Sequence, residues 1–263
     1  MLQTRLKTAA ILLPTVLAII LFAPAGAFTT FIAVVTLWGL YETAAMVAAG
    51  ASQWIAIALL GGWALLRLGH GSVVSRVVLL VTLATAAITL IGVGRRGSDG
   101  GRHAGWSMTY PLWVSALFPY FAELRNGKNG IAALMMVLLL VVASDSGAYF
   151  AGRSLGRVKL LPKVSPNKTV EGAIGGLIAA IVAGLLLRST LLASLSHGQM
   201  VVFAALVGTL AQTGDLVNSA FKRMADVKDS GWIFPGHGGL LDRTCSLVFP
   251  ATFACYYLRL VKV

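Results

Sequence analysis

Residues 130–151 read GIAALMMVLLLVVASDSGAYFA. The run is apolar almost without interruption as far as Ala143, and then turns to Ser144, Asp145, Ser146 and Gly147. Strict alternation of apolar and polar residues, the mark of a barrel strand, is absent, and Ala and Leu dominate. At a rise of about 1.5 Å per residue, such a stretch crosses a hydrocarbon layer of about 30 Å as a helix. It ends on a carboxylate, which is costly in a membrane segment and points to function by default. Both features recur along the chain.

Similar apolar stretches lie at residues 8–28, 29–49, 53–69, 73–94, 106–122, 172–196, 200–221 and 244–262. With 130–151 they make nine candidate spans. The third and fifth are short, so eight is the alternative. The first stretch follows Arg5 and Lys7 like a signal peptide. Pro14 interrupts it and further spans follow at once, so we read it as a retained helix. Composition agrees: of 263 residues, 57% are hydrophobic and only 11% charged, and mean hydropathy is +0.84. A soluble domain carries about 25% charged residues. Disorder, a coiled coil and a typical soluble enzyme are excluded. Two cysteines, Cys245 and Cys255, cannot build a disulfide framework. The expected fold is an all-α, polytopic transmembrane bundle forming one integral membrane domain over 1–263. Its N-terminal helices occupy 1–128, and 129–263 carry the candidate site.

The net charge is +12. In a membrane protein such an excess marks cytoplasmic loops and anionic headgroups, not nucleic acid. With nine spans and a cytoplasmic N-terminus, Arg5, Lys7, Arg95, Arg96, Arg102, Arg153, Arg157, Lys159, Lys163, Lys168, Lys222, Arg223, Lys228 and Arg243 share the cytoplasmic side. The other seven of the 21 basic residues fall opposite. The segment RRGSDGGRHAG (95–105) reads as a basic connector.

The nine acids are the scarce residues. Six of them, Asp145, Glu171, Asp215, Asp226, Asp229 and Asp242, fall into three polar segments. Glu42 lies inside the second stretch, as a helix–helix contact, as the partner of a buried arginine or as a functional group. One segment continues from Asp145 into a loop with Ser165, Lys168 and Thr169. There Thr169 can cap the following helix, with Glu171 in its first turn and Lys168 placed to meet phosphate. Another carries Asp215, Ser219 and Arg223 at i,i+4 steps, together with Asn218 and Lys222. The last, KDSGWIFPGHGGLLDR (228–243), joins Lys228, Asp229, Asp242 and Arg243 to glycines that let backbone approach a ligand. His237 reads first as a turn residue touching substrate, and second as a general base. Carboxylates mixed with Lys and Arg at a membrane surface suit Mg²⁺-assisted chemistry on phosphates.

The segments SAFKRMADVKDSGWIFPGHGGLLDR (219–243), DSGAYFAGRSLGR (145–157) and KVSPNKTVEGAIGG (163–176) resemble those of phosphatidate cytidylyltransferases, or CDP-diacylglycerol synthases. MLQTRLKTAAILLP (1–14) and WGLYE (38–42) are similar too. The resemblance implies a homodimer, while the compact single-domain form suits a bacterial inner membrane and the basic loops put the site on the cytoplasmic side. The implied enzyme would join CTP and phosphatidic acid, using Mg²⁺ and releasing pyrophosphate. The resemblance gives Asp215 and Asp242 to the metal, and to catalysis together with Lys222, Arg223 and Asp229. Asp145, Ser165, Lys168, Thr169, Lys228, His237 and Arg243 fall to substrate. Two positions depart: the chain reads GDLVNS where the family has GDLxES, and DRTCS where it has DRxDS. Asn218 and Cys245 therefore stand where carboxylates are expected, and thiols are poor Mg²⁺ ligands. The alternatives are a divergent or impaired paralogue serving as a lipid-binding or regulatory protein, and a CTP-dependent lipid kinase.

Overall fold

The computed structural model describes residues 2–46, 51–69, 109–236 and 238–263. The expected fourth span (73–94), the basic connector and His237 lie outside the described residues. The elements in order are α1 (Leu2–Phe22), α2 (Ala25–Met46), α3 (Ala51–Gly69), α4 (Thr109–Leu117), α5 (Pro119–Arg125), α6 (Gly130–Leu155), β1 (Lys159–Leu161), β2 (Ser165–Thr169), α7 (Val170–Leu191), α8 (His197–Met224) and α9 (Leu241–Leu260). Among the described residues four helices, α2, α6, α7 and α8, are long and apolar enough to cross a membrane. The chain is thus a helical membrane protein.

Three local outcomes differ from the sequence reading. Pro24 separates α1 from α2, so the first helix stops at Phe22 instead of 28. The fifth stretch is split at Phe118–Pro119. Proline lacks an N–H, and the residue before it is pushed away from helical angles. The described part of the resulting α4, with 9 residues, is about 14 Å long. A short antiparallel ladder pairs Lys159 with Thr169 and Leu161 with Ser165 between two membrane helices. Strands of three and five residues are too short to print an alternating pattern.

The chain divides into two compact units, Met1–Ala122 with Ala220–Thr244, and Glu123–Ser219 with Cys245–Val263. In the first unit α2 packs on α3 and α4. Gly39 lies against Val114 and Leu241, where a β-carbon would come within 3.1 and 3.3 Å of side-chain atoms. Tyr110 and Phe221 stack, with ring centroids 4.3 Å apart. Thr36 and Thr43 return their hydroxyl protons to Ile32 and Leu40 carbonyls, so neither leaves a bare donor in the core.

In the second unit α6 and α7 pack along their length. Gly147 meets Ala179 and the Gly175 backbone, while Gly175 meets Ala151. Small residues of this kind let membrane helices approach backbone to backbone. The opposite face of α7 exposes Ile174, Ile178, Val182 and Leu186, one every four residues. This row suits hydrocarbon and not water. Phe203, Phe253 and Tyr257 cluster through their rings, and the Tyr257 hydroxyl donates to the Gln199 carbonyl at 2.8 Å.

Candidate active site

The β1–β2 hairpin delivers Lys168 two residues before α7. Thr169 is buried, in extended conformation, and its Oγ1 accepts the Gly172 N–H at 3.1 Å. This is the N-cap expected from the sequence. The Glu171 carboxylate accepts the Val158 N–H, at 3.2 and 3.3 Å to its two oxygens, which ties the hairpin's start to the first turn of α7. With its backbone held by the ladder and the cap, Lys168 reaches α8. Its Nζ lies 2.5 Å from Asp215 Oδ2. The other oxygen, Oδ1, faces the Cys245 thiol at 3.8 Å. Asp145, from α6, interacts electrostatically with both Asp215 and Lys168. Asn218, one turn after Asp215, is buried. Gly214 is needed for this packing, because a β-carbon there would strike the Cys245 carbonyl. Ser165 begins β2, opposite Leu161 and half-buried.

A separate constellation forms in the first unit. Lys222 Nζ donates to Asp242 Oδ1 at 2.6 Å. Asp242 Oδ2 accepts the Ser230 N–H at 2.8 Å, the Ser230 hydroxyl at 3.1 Å and the Gly239 N–H at 3.1 Å. Burial pushes the Asp242 carboxyl up, but the Lys222 hydrogen bond, the two N–H donors and the Lys222 charge outweigh it and hold it below the usual carboxylate range. Asp242 thus folds the glycine-rich segment 228–239 back onto the start of α9. Gly238 has φ +82°, and a β-carbon there would collide with Asp242 Oδ2, so glycine is required twice over.

Behind that segment sits Glu42, buried in α2. Its Oε1 accepts the Leu240 N–H at 2.8 Å and the Trp38 indole N–H at 3.1 Å. Its Oε2 accepts the Leu241 N–H at 3.0 Å and shares the single Ser230 hydroxyl proton with Asp242 Oδ2, each oxygen 3.1 Å from the hydroxyl. Two of these donors belong to the N-terminus of α9, where backbone N–H groups lack helical partners and favour an anion. Glu42 is therefore a contact between α2 and the start of α9. It anchors a loop, and the signal for it was its place as an acid inside an apolar stretch. Arg223, Lys228, Asp229 and Arg243 are exposed around this segment.

Among the described residues no group of three or more His, Cys, Asp or Glu side chains forms a metal cluster. The donor chemistry nevertheless suits a hard cation. Asp145 and Asp215 are oxygen donors close enough to interact, and Mg²⁺ often takes only one or two carboxylates, filling its shell with water and phosphate.

The cytidylyltransferase family model matches residues 3–261. The chain is 41% identical over 150 residues to a phosphatidate cytidylyltransferase of Bacillus subtilis, covering 57% of this chain and 56% of that protein. It is 43% identical over 133 residues to the Haemophilus influenzae enzyme of that name, covering 49% and 46%. In these matches the chain spans about half the length of its relatives. The phosphatidate cytidylyltransferase of Brucella suis biovar 1 is similar throughout, 36% identical over 262 residues, with 98% of this chain and 92% of that protein covered. A helical membrane fold, a lysine–carboxylate pair at a capped helix start and similarity along the whole length agree, and the chain belongs to the cytidylyltransferase family.

Proposed function

We propose that the chain transfers the cytidylyl group of CTP to phosphatidic acid, giving CDP-diacylglycerol and pyrophosphate. A phosphate oxygen of phosphatidic acid forms a bond to the α-phosphorus of CTP, and the bond from that phosphorus to the β-phosphate bridging oxygen breaks. The nucleophile is already an anion, so position and charge matter more than a strong base. The observation that carries this reading is the Lys168–Asp215 pair at the start of α7, a cation and a hard-oxygen ligand in contact. Lys168 supplies positive charge to the nucleotide's phosphates, and the Ser165 and Thr169 region shapes the loop beside it. Asp145 and Asp215 would hold Mg²⁺, which would neutralise charge on the triphosphate. Asp242 belongs to the same expectation for the metal, although its oxygens now carry Lys222, Ser230 and Gly239 donors. The exposed cations Arg223, Lys228 and Arg243 suit phosphate contacts, with Asp229 and His237 on the same loop. Our reading places this site at the cytoplasmic face of a bacterial inner membrane, in a homodimer with a cytoplasmic N-terminus.

The test is pyrophosphate release by purified protein given CTP, phosphatidic acid and Mg²⁺. Label from α-labelled CTP should enter lipid, and Asp215→Ala should abolish turnover. Label from γ-labelled CTP in lipid would reveal a kinase instead. No turnover, with Asp215→Ala indistinguishable from the parent, would sink the reading.

A further inference from the structure

The two aspartates that the resemblance gives to a metal each carry a lysine ammonium, yet they are not equivalent. The Asp242 side chain is 6% exposed and both its oxygens are occupied by donors. The Asp215 side chain is 40% exposed. Its Oδ2 meets Lys168, and its Oδ1 meets a thiol at 3.8 Å, a weak donor. Asp145 adds a second negative charge that also feels Lys168. An ammonium and a divalent cation repel each other and compete for Asp215 Oδ2, so a metal binds that oxygen more tightly once Lys168 has left it.

Lys168 is built to leave. Its backbone is fixed on both sides, by the Lys159–Thr169 pairing, the Val170 N–H donated to the Val158 carbonyl at 2.9 Å, and the Thr169 cap. Its side chain is a flexible four-carbon stem ending in a point charge. A polyphosphate offers that charge a stronger partner than one carboxylate.

We propose that Lys168 is an exchangeable counter-ion that couples nucleotide binding to divalent-cation binding. Without substrate its ammonium sits on Asp215. When a nucleotide's phosphates draw it away, Asp215 opens to the cation. Cys245 fits this arrangement. A neutral thiol there leaves two carboxylates for Lys168 to balance, whereas an acid would make three. Coupling of this kind is reciprocal: bound cation must also raise nucleotide affinity, by releasing Lys168.

The proposal rests on the transferase reading and is tested apart from turnover. Mn²⁺ replaces Mg²⁺, and free Mn²⁺ is followed by electron paramagnetic resonance on the detergent-purified full chain without nucleotide. Lys168→Met and Lys168→Gln should both bind Mn²⁺ about fivefold tighter or more, the lower end of ordinary coupling energies. Asp215→Asn should lose that binding. Labelled CTP, measured in EDTA, should bind the same two lysine variants more weakly than the parent. A purely structural role would weaken both ligands together. Mn²⁺ affinity equal to or below the parent's in either folded variant overturns the proposal, as does equal CTP binding by parent and variants. A parent that releases no pyrophosphate but shows the opposed shifts keeps the coupling and removes the transferase reading.

Discussion

Glu42 lets the cost of a single oxygen be worked out. Replacing it by glutamine keeps the shape and one acceptor, so Oε1 can still take the Leu240 and Trp38 protons. The new NH₂ then faces the Ser230 hydroxyl and the Leu241 N–H. The hydroxyl can rotate to accept. The backbone N–H cannot, and is left as an orphaned donor, which costs about 1–3 kcal/mol. In a chain of this size a loss near the middle of that range lowers the thermal midpoint by roughly 4–8 °C. Glu42→Ala strands the Leu240, Leu241 and Trp38 donors, while the Ser230 hydroxyl keeps Asp242 Oδ2, and it leaves a void, so about 3–5 kcal/mol is expected. The order parent, Gln, Ala should therefore appear in thermal unfolding of the detergent-purified protein followed by tryptophan fluorescence. Limited proteolysis within 228–240 should accelerate in the same order, since Glu42 holds both ends of that segment. Midpoints for both variants within about 1 °C of the parent would refute the reasoning. So would a glutamine variant less stable than the alanine one.

Asp242, held below the usual carboxylate range by Lys222 and two backbone donors, contributes stability that is present above about pH 4 and lost as pH falls towards its lowered native value. The stability difference between parent and Asp242→Asn, measured by denaturant unfolding from pH 7 downward, should be flat at first and shrink in acid; a difference unchanged at low pH contradicts this. Thr169→Ala removes the α7 cap and should cost about 1 kcal/mol, while Thr169→Ser should recover most of it; equal midpoints for the two variants would show that the hydroxyl does not cap. Asn218→Glu with Cys245→Asp adds two carboxylates near Asp215. Without divalent cation the double variant should melt below the parent through like-charge repulsion, and added Mg²⁺ should raise its midpoint more than the parent's. Identical Mg²⁺ responses would separate these positions from cation binding.

Local chemistry was legible in the sequence wherever partners are close along the chain. Thr169 and Gly172 are three residues apart, so a cap could be read directly. The apolar runs of α2, α6, α7 and α8 announced themselves by length. What the sequence hid was pairing at a distance. Glu42 stood out as an acid in an apolar helix, but its donors lie 188 to 199 residues away, apart from Trp38. No periodicity encodes such a contact. Lys168 could be read as a cation awaiting phosphate, and the structure adds its partner, Asp215, 47 residues on. That partner changes the physics. A lysine already satisfied by a carboxylate gives up one ion pair to gain another, so its contribution to nucleotide affinity is a difference between two attractions and smaller than its attraction to the phosphates alone. The same exchange frees the carboxylate, and the gain moves to the cation. A scarce acid beside a basic loop thus signals linked binding of two ligands better than it signals the strength of either one.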